Sequence, residues 1–199
     1  MLRPLILTVL AAMMGTLSVS AQDKPLKRGT YAHFETSMGT FTAQLETQLA
    51  PKTAANFIGL ARGTKDWKDP KSGQIMTGKP FYEDQVFHRV VGNFIIQSGD
   101  PTGTGTGGSG FTIPDEFSPQ LRHDRAGILS MGNPGKPNSA TSQFFVTLRE
   151  APELNGMNAA FGSVIRGMDV VRKIGAVRTR NDRPVTPVTL LKVRIEVVE

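Results

Sequence analysis

Apolar and polar residues alternate along several short stretches of the chain, a pattern that predicts strands. The alternation is strict over residues 40–46, and it recurs over residues 191–197 near the end of the sequence. Side chains with this period of two point to opposite faces of a strand, so both segments are predicted as half-buried strands. Tyr31–Thr36 precedes the first of them, and Met38-Gly39 between the two predicts a hairpin.

Two other segments follow the helical period. After Pro51, apolar residues at positions 54, 57, 58 and 61 fall on one face of a helix that Gly63 would end. A second short helix is predicted over Met168–Ile174, ended by Gly175. Further strands are predicted over the apolar runs 86–91, 94–97, 127–131, 143–148 and 158–164. Many short strands with two helices predict a mainly β fold, either a closed barrel or a sandwich with helical caps.

The N-terminal segment 1–21 has the pattern of a secretory signal peptide. Arg3 precedes an apolar run, and Val19 and Ala21 place small residues before a cleavage site. An uncleaved membrane anchor is the alternative, although the apolar run is short and interrupted. Residues 22–29 are predicted to be a flexible segment and residues 30–199 a single domain. The protein is therefore expected to be exported, to the periplasm in the first instance, with full secretion left open.

Composition and charge narrow the possible partners. The 199 residues include 21 Gly and 13 Pro, which favours many turns, and no Cys, which excludes a disulfide. Removing residues 1–21 takes one positive charge from the formal net charge of +6 and leaves +5. The basic residues are scattered without a run of five like charges, so no nucleic-acid partner is expected. No later apolar run reaches 18 residues, so no stable membrane insertion is expected after signal cleavage.

Two glycine-rich motifs are misleading. Gly103–Gly108 matches the dinucleotide pattern G-x-G-x-x-G, but the residues that follow cannot open a helix beneath a pyrophosphate. Gly73–Lys79 resembles a P-loop, yet Pro80 replaces the hydroxyl residue that would bind magnesium. Two alternatives stay open but have no support from residue spacing. One is a metal site formed by His88 with Asp84 or Asp100, and the other is a hydrolase whose Ser, His and Asp residues are distant in sequence. No metal and no organic cofactor are expected.

The stretch Phe87–Asp100 is the most informative part of the sequence. It reads Phe-His-Arg, then an apolar pair, then a Phe and Gln-Ser-Gly-Asp, and the period of two puts Arg89 and Gln97 on one face if no bend intervenes. This stretch resembles the cyclophilin family of peptidyl-prolyl cis/trans isomerases, in particular exported bacterial-type members. Further blocks of the family agree in order and approximate spacing, one before this stretch at 51–57 and the others after it at 127–131, 142–145 and 161–168.

The resemblance implies a closed eight-stranded antiparallel β-barrel capped by two short helices, with the active site on its outer face. It implies that Arg89 is the catalytic residue and that Gly105 lies in a loop closing one side of the site. It implies that the wall for the proline ring consists of Phe94, Ile95, Phe145 and Leu154, and that the polar residues orienting the peptide and the arginine are Gln97 and Gln143. It also implies that the peptide pairs with an edge segment at Gly132 and Asn133, and that Asn158 lies near the pocket. The implied partners are proline-containing peptides and unfolded or partly folded proteins.

Some positions depart from the family pattern. Glu153 stands where many members have Trp, and Asn158 where many have His. The lost indole makes weak binding of the family's drug ligand cyclosporin the expectation. The implied activity is rotation about Xaa–Pro bonds, which would assist the folding of exported proteins.

Two functional alternatives accompany this interpretation. One is a non-catalytic peptide-binding chaperone that uses the same groove, and the other is a barrel that binds small ligands internally. The second is disfavoured because apolar residues would fill a small barrel. The sequence has no oligomerisation signal, so a monomer is expected. Client proteins, the residue preferred before proline and the role of Thr64–Pro80 stay open.

Overall fold

A nine-stranded antiparallel sheet forms the centre of the structure, a computed structural model that describes residues 25–199. The predicted signal peptide lies outside the described residues. The strands of this sheet lie in the order β5-β13-β1-β2-β10-β8-β9-β7-β6. Their bounds are β1 Gly29–Thr36, β2 Gly39–Leu45, β5 Glu83–Val86, β6 Arg89–Val91, β7 Ile95–Ser98, β8 Ile128–Met131, β9 Phe144–Thr147, β10 Ala160–Arg166 and β13 Thr189–Val198.

Two small hairpins and two helices complete the described structure. The hairpins pair β3 Trp67–Lys68 with β4 Ile75–Met76, and β11 Thr179–Arg180 with β12 Arg183–Pro184. Helix α1 spans Pro51–Arg62 and packs against β13, and helix α2 spans Met168–Gly175 and packs against β2, β6 and β7. A short 3₁₀ helix covers Pro152–Leu154. Within the described residues, no helix is long and apolar enough to span a membrane.

The prediction of a closed eight-stranded barrel is wrong, because the sheet is open. It is a strongly curled half-barrel whose edge strands β5 and β6 are consecutive in the chain but do not pair with each other. The two residues that join them, Phe87 and His88, are both buried, so the chain bends there instead of forming a hairpin. Beyond β5, Phe87 N donates to Val188 O (2.9 Å) and so stays with β13. A side chain of the next strand, β7, reaches β5, since Ser98 Oγ donates to Val86 O (3.0 Å).

The concave face of the sheet holds the core. Val90, Ile96, Val146 and Leu129 lie side by side in register on β6, β7, β9 and β8, and all four are fully buried. An aromatic cluster fills the space between sheet and α1, with rings in stacked, tilted and edge contact: Phe34, Phe41, Phe57, Tyr82, Phe144 and Phe161. This packing of large side chains leaves the other face of β6–β8 to carry polar groups.

Most of the predicted elements are present with small shifts of their ends. The β1–β2 hairpin and α1 match the sequence pattern, and Gly63 ends α1 in the left-handed conformation (φ 71°) that glycine adopts without strain. The predicted strand 86–91 is divided between β5 and β6. In β13, a bulge at Leu191 interrupts the predicted alternation, so Leu190 faces the core while Leu191 is exposed.

Candidate active site

A row of cross-strand neighbours sets out the site on the convex face of the sheet. Arg89 on β6 is paired with Gln97 on β7, Gln97 with Phe145 on β9, and Phe145 with Ser130 on β8. Side chains at directly paired positions point to the same face of a sheet. Residues one position away along these strands form the core, so this row lies on the outer side of the sheet. The predicted common face for Arg89 and Gln97 is confirmed by their direct pairing.

Side-chain hydrogen bonds connect Arg89 to the glycine-rich loop. Arg89 Nη1 donates to Gln97 Oε1 (3.4 Å), and Gln97 Nε2 donates to Gln143 Oε1 (2.9 Å). Gln143 Nε2 in turn donates to the carbonyls of Gly105 (3.0 Å) and Gly107 (2.8 Å). Three sequence-predicted site residues are thereby joined to the loop that contains Gly105.

The loop is itself organised by a buried carboxylate. Asp100 accepts hydrogen bonds from the backbone N–H groups of Thr102 (2.7 Å), Thr104 (3.1 Å), Gly105 (2.6 Å) and Gly107 (3.1 Å). Burial alone would raise the pKa of Asp100, but a hydrogen bond from the Thr102 hydroxyl (2.7 Å) and these backbone bonds outweigh it and lower the pKa below its usual range. The carboxylate is packed so closely that a Cβ on Gly107 would lie 2.1 Å from Asp100 Oδ1.

The same contacts bear on the metal site that the sequence left open. The oxygens of Asp100 are occupied by backbone donors, and no group of three or more His, Cys, Asp or Glu residues that could hold a metal occurs within residues 25–199. His88 is buried beside this loop, and neither ring nitrogen has a hydrogen-bond partner in the described chain. Burial lowers the pKa of His88, which the nearby Asp100 carboxylate partly opposes.

The predicted apolar wall lies on β7, β9 and the 3₁₀ helix. Ile95 and Phe145 are buried, whereas Phe94 and Leu154 are partly exposed. Phe145 is held from behind by His123, whose ring stacks on it at 5.9 Å. His123 Nε2 is 3.0 Å from Ser130 Oγ and Nδ1 is 3.1 Å from Asn155 Oδ1, so the imidazole is fixed at both nitrogens. Sequence analysis missed His123, since nothing in its neighbourhood marks it as part of the site.

Gly132, Asn133 and Asn158 lie at the end of β8, next to the glutamine pair. Gly132 N donates to Gln143 O (2.8 Å), and a Cβ on Gly132 would lie 3.1 Å from Gln97 Nε2. The amides of Asn133 and Asn158 bind the chain itself: Asn133 Nδ2 donates to Met157 O (2.8 Å) and Asn158 Nδ2 to Met131 O (2.9 Å). These two side chains therefore brace the edge segment.

The hairpin β3–β4 forms a wall of the groove beside the site. A groove of about 740 Å³ is bounded on one side by Gln97, Gln143 and the glycine loop and on the other by Lys68–Pro70 and Gly73. The hairpin is anchored by Lys68 N, which donates to Ser109 O (2.9 Å), and by Trp67 Nε1, which donates to Lys79 O (3.0 Å). The segment Thr64–Pro80, to which the sequence assigned no role, thus shapes the groove.

A second missed contribution comes from the hairpin β11–β12. Asp182 Oδ2 lies 3.7 Å from Arg89 Nε, and Arg183 Nη2 donates to Gly103 O (2.7 Å). Both residues are distant from the family motifs in sequence. The only local signal is the Asn-Asp pair at 181–182, which is typical of a turn.

Glu153 lies on the far side of the wall and is paired with an arginine. Arg149 Nη2 donates to Glu153 Oε1 (2.8 Å), and the Arg149 guanidinium lies over the Phe94 ring, 5.0 Å from its centre. The Glu153 carboxylate is therefore neutralised by a cation that covers the partly exposed face of Phe94.

Comparisons with known proteins agree with this geometry. Residues 31–195 match the family model of the cyclophilin type peptidyl-prolyl cis-trans isomerase/CLD. The chain belongs to the cyclophilin family. It is 46% identical over 165 residues to peptidyl-prolyl cis-trans isomerase-like 1 of Neurospora crassa, covering 81% of this chain and 91% of that protein. It is 44% identical over 179 residues to peptidyl-prolyl cis-trans isomerase A of Mycobacterium tuberculosis, covering 88% and 97%.

A solved cyclophilin has the same fold. The crystal structure of a Cryptosporidium parvum cyclophilin superposes with a TM-score of 0.73 at 32% identity, covering 85% of this chain and 99% of that one. A second structure of that protein, determined in the presence of the dipeptide Ala-Pro, gives a TM-score of 0.72. The chain described in this structure is accordingly a peptidyl-prolyl cis–trans isomerase, as the family model and its relatives show.

Proposed function

We propose that Arg89 is the catalytic residue of this isomerase and that its substrates are proline-containing segments of other exported proteins. The observation that carries the first part is the position of Arg89. Its guanidinium is fastened through Gln97 to the same sheet face as Phe145, so a cation stands at the edge of an apolar wall. Rotation about a peptide bond makes or breaks no σ bond, so neither a nucleophile nor a cofactor takes part.

The chemistry is the removal of amide resonance. In a planar Xaa–Pro bond the nitrogen lone pair is delocalised, and the rotation barrier is about 18–20 kcal/mol. In the twisted transition state the prolyl nitrogen becomes pyramidal, regains its lone pair and can accept a hydrogen bond. A guanidinium donates in fixed directions and stays charged, so Arg89 can stabilise this state selectively. Shortening an exchange time of ~100 s to ~1 ms requires ~7 kcal/mol of such differential binding.

The wall residues would hold the proline ring while the preceding carbonyl turns. The apolar surface is supplied by Phe94, Ile95, Phe145 and Leu154. Because these side chains exclude water, they strengthen the electrostatic interaction of the Arg89 guanidinium with the transition state. Gln97 and Gln143 would keep the arginine and the glycine loop in register with the peptide. Since Gly132 N is already bonded to Gln143 O, the peptide backbone would pair with the Gly132 carbonyl and Asn133 N–H, which have no partner within the described residues.

The signal-peptide pattern of residues 1–21 supports export. Action as a monomer is proposed because all of the site residues come from one chain. An exported isomerase would meet exported chains whose folding is limited by proline isomerisation, a step of tens to hundreds of seconds. Mass spectrometry of protein purified from a periplasmic extract should give a chain that begins at Gln22. A full-length protein that stays with the membrane fraction would contradict cleavage after Ala21 and favour the uncleaved membrane anchor.

The catalytic assignment is tested with exchange spectroscopy on a short Xaa–Pro peptide. The mature protein should accelerate cis–trans exchange, and Arg89→Ala should reduce kcat/KM by about 100-fold or more, because the transition-state donor is lost. Arg125→Ala is the matched control, as Arg125 is an exposed arginine whose only ion pair within residues 25–199 is with its neighbour Asp124.

Two results would contradict the proposal. Full activity in Arg89→Ala would remove the arginine from the mechanism. Peptide line broadening without exchange in the wild-type protein would favour the alternative function, a peptide-binding chaperone that uses the same groove.

A further inference from the structure

Asp182 occupies a backbone conformation that a non-glycine residue rarely adopts. It is the second residue of the two-residue turn between β11 and β12, and both turn residues have positive φ, 50° at Asn181 and 61° at Asp182. Such turns favour Asn at the first position and Gly at the second. Aspartate at the second position costs conformational energy that glycine would avoid. Strain of this kind is often retained where the side chain has a function.

The β11–β12 hairpin packs in a position that places the Asp182 side chain beside Arg89. Asp182 O accepts a hydrogen bond from Val90 N (2.7 Å), the residue directly after Arg89. On the other side, Arg183 Nη2 donates to Gly103 O (2.7 Å), which ties the hairpin to the glycine-rich loop. These two anchors fix the turn between β6 and the loop, and Asp182 Oδ2 then lies 3.7 Å from Arg89 Nε.

Arg89 is thereby held at two edges of its guanidinium. The Nε edge faces the Asp182 carboxylate, and Nη1 donates to the Gln97 amide (3.4 Å). Nη2 makes no hydrogen bond within residues 25–199, so a donor is left for a substrate. No other carboxylate of the described chain is ion-paired with Arg89.

We propose that Asp182 is a positioning residue for the isomerase reaction. Its carboxylate orients the Arg89 guanidinium at the Nε edge, while the Gln97 amide orients it at Nη1. The inference rests on the proposed catalytic role of Arg89. Asp182 acts through the arginine and need not touch the peptide. Its removal should therefore lower kcat and leave KM nearly unchanged, since binding of the ground state depends on the apolar wall.

The size of the effect follows from exposure. The side chains of Arg89 and Asp182 are 43% and 53% exposed, so their ion pair is partly screened by water. Exposed pairs of this kind contribute modestly, and we expect a two- to fivefold loss of kcat at low ionic strength. The loss should shrink as salt is added, because the wild-type pair is then screened as well.

The experiment uses two variants that remove the carboxylate and keep the turn. Asp182→Asn retains the shape of the side chain, and Asp182→Gly suits the positive φ and should hold or raise the thermal midpoint. Asn181→Gly is the matched control, since it changes the same turn and leaves the carboxylate in place. Both Asp182 variants should lose kcat two- to fivefold, whereas Asn181→Gly should keep the wild-type value.

A structural readout separates orientation from general loosening. In a ¹H–¹⁵N spectrum of arginine Nε groups, the Arg89 signal, assigned by its absence in Arg89→Lys, should move in Asp182→Asn and stay in place in Asn181→Gly. In the Arg89→Lys background, Asp182→Asn should cause no further loss, because lysine has no Nε edge to orient.

The outcomes distinguish this inference from the proposal on which it rests. If Arg89→Ala is inactive but both Asp182 variants keep the wild-type kcat and the Arg89 Nε signal, the positioning role is wrong and the catalytic role stands. If Arg89→Ala is active, the catalytic role itself is wrong. Equal losses in Asn181→Gly and Asp182→Gly would also overturn the inference, since they would trace the effect to the turn and not to the carboxylate.

Discussion

At the scale of single residues, the Gln143 side chain joins Gln97 to the glycine loop. Its amide oxygen accepts from Gln97 Nε2, and its amide nitrogen donates to the carbonyls of Gly105 and Gly107. A side chain that is satisfied in this way has one preferred rotamer. The position of Gln97, and through it that of Arg89, therefore depends on the loop that Asp100 organises.

The pair Arg149–Glu153 leads to a prediction about ligand binding. Cyclosporin should bind the wild-type protein weakly, and Glu153→Trp should tighten binding at least tenfold. A tenfold gain is about 1.4 kcal/mol, the yield of burying about 55 Å² of apolar surface, which an indole readily supplies. Isothermal titration calorimetry measures the change. Glu150→Trp, which adds an indole at a neighbouring exposed position, is the control and should bind like the wild type; equal affinity in Glu153→Trp and the wild type would contradict the prediction.

The site residues divide by how local their sequence signal is. Arg89 and Gln97 belong to one hairpin, so an eight-residue spacing was enough to place them on one face. Asp182 and His123 reach the site only through tertiary packing, one by a docked hairpin and the other by stacking behind Phe145. No periodicity reports such contacts, which is why the sequence did not reveal these two residues.

At the scale of elements, the boundary between β5 and β6 illustrates what an apolar run conceals. Residues 86–91 read as one strand, but Phe87 and His88 are consecutive and both buried. Neighbouring side chains in a regular strand point to opposite faces, so the two cannot share one core without a bend. The sequence could not tell this bend from a strand buried on both faces.

Helix α1 leads to a prediction about stability. Its N-cap residue, Ala50, has no side-chain cap, and the first turn contains no acidic residue. The carboxylate of Glu116, far along the chain, takes this role by accepting from Lys52 N (3.2 Å) and Thr53 N (2.9 Å). Glu116→Gln should lower the free energy of unfolding by about 1 kcal/mol, because one amide replaces two anionic acceptors at the positive end of the helix.

Urea denaturation measures this loss. Glu83→Gln is the control, because Glu83 is exposed and its side chain has no partner in the described chain, and it should change stability by less than about 0.5 kcal/mol. A Glu116→Gln variant as stable as Glu83→Gln would mean that the contact contributes nothing to α1.

At the scale of the whole molecule, local patterns predicted the elements better than their assembly. The period of two and the helix signals identify the hairpin β1–β2 and α1, and their packing is the packing that the pattern implies. Closure of the sheet is different, because it depends on whether two short edge strands pair. Here a buried bend connects β5 to β6, and the Ser98 side chain of β7 bonds to β5, so the sheet curls without closing.

Two buried histidines should make the stability of the whole fold depend on pH. Burial lowers the pKa of His88, near Asp100, Arg183 and Arg89, and that of His123, near Glu153 and Asp124. In the unfolded chain both would titrate near pH 6.5. Between that value and the lower folded pKa, the unfolded chain binds more protons. The free energy of unfolding should thus fall as pH is lowered from about 7.5 to 5.5, by at most about 1.4 kcal/mol per pH unit for each histidine.

Urea unfolding at a series of pH values tests this dependence. His123→Gln should be less stable than the wild type at pH 7.5, since it loses the stack on Phe145, but its stability should fall less steeply towards pH 5.5. His88→Gln/His123→Gln should be flatter still, because neither buried imidazole is left to take up a proton on unfolding. The test compares the change in the free energy of unfolding per pH unit, not its absolute value at one pH. A wild-type protein equally stable at pH 7.5 and 5.5, or a double variant with the wild-type slope, would show that burial of these two rings does not set the pH range of the fold.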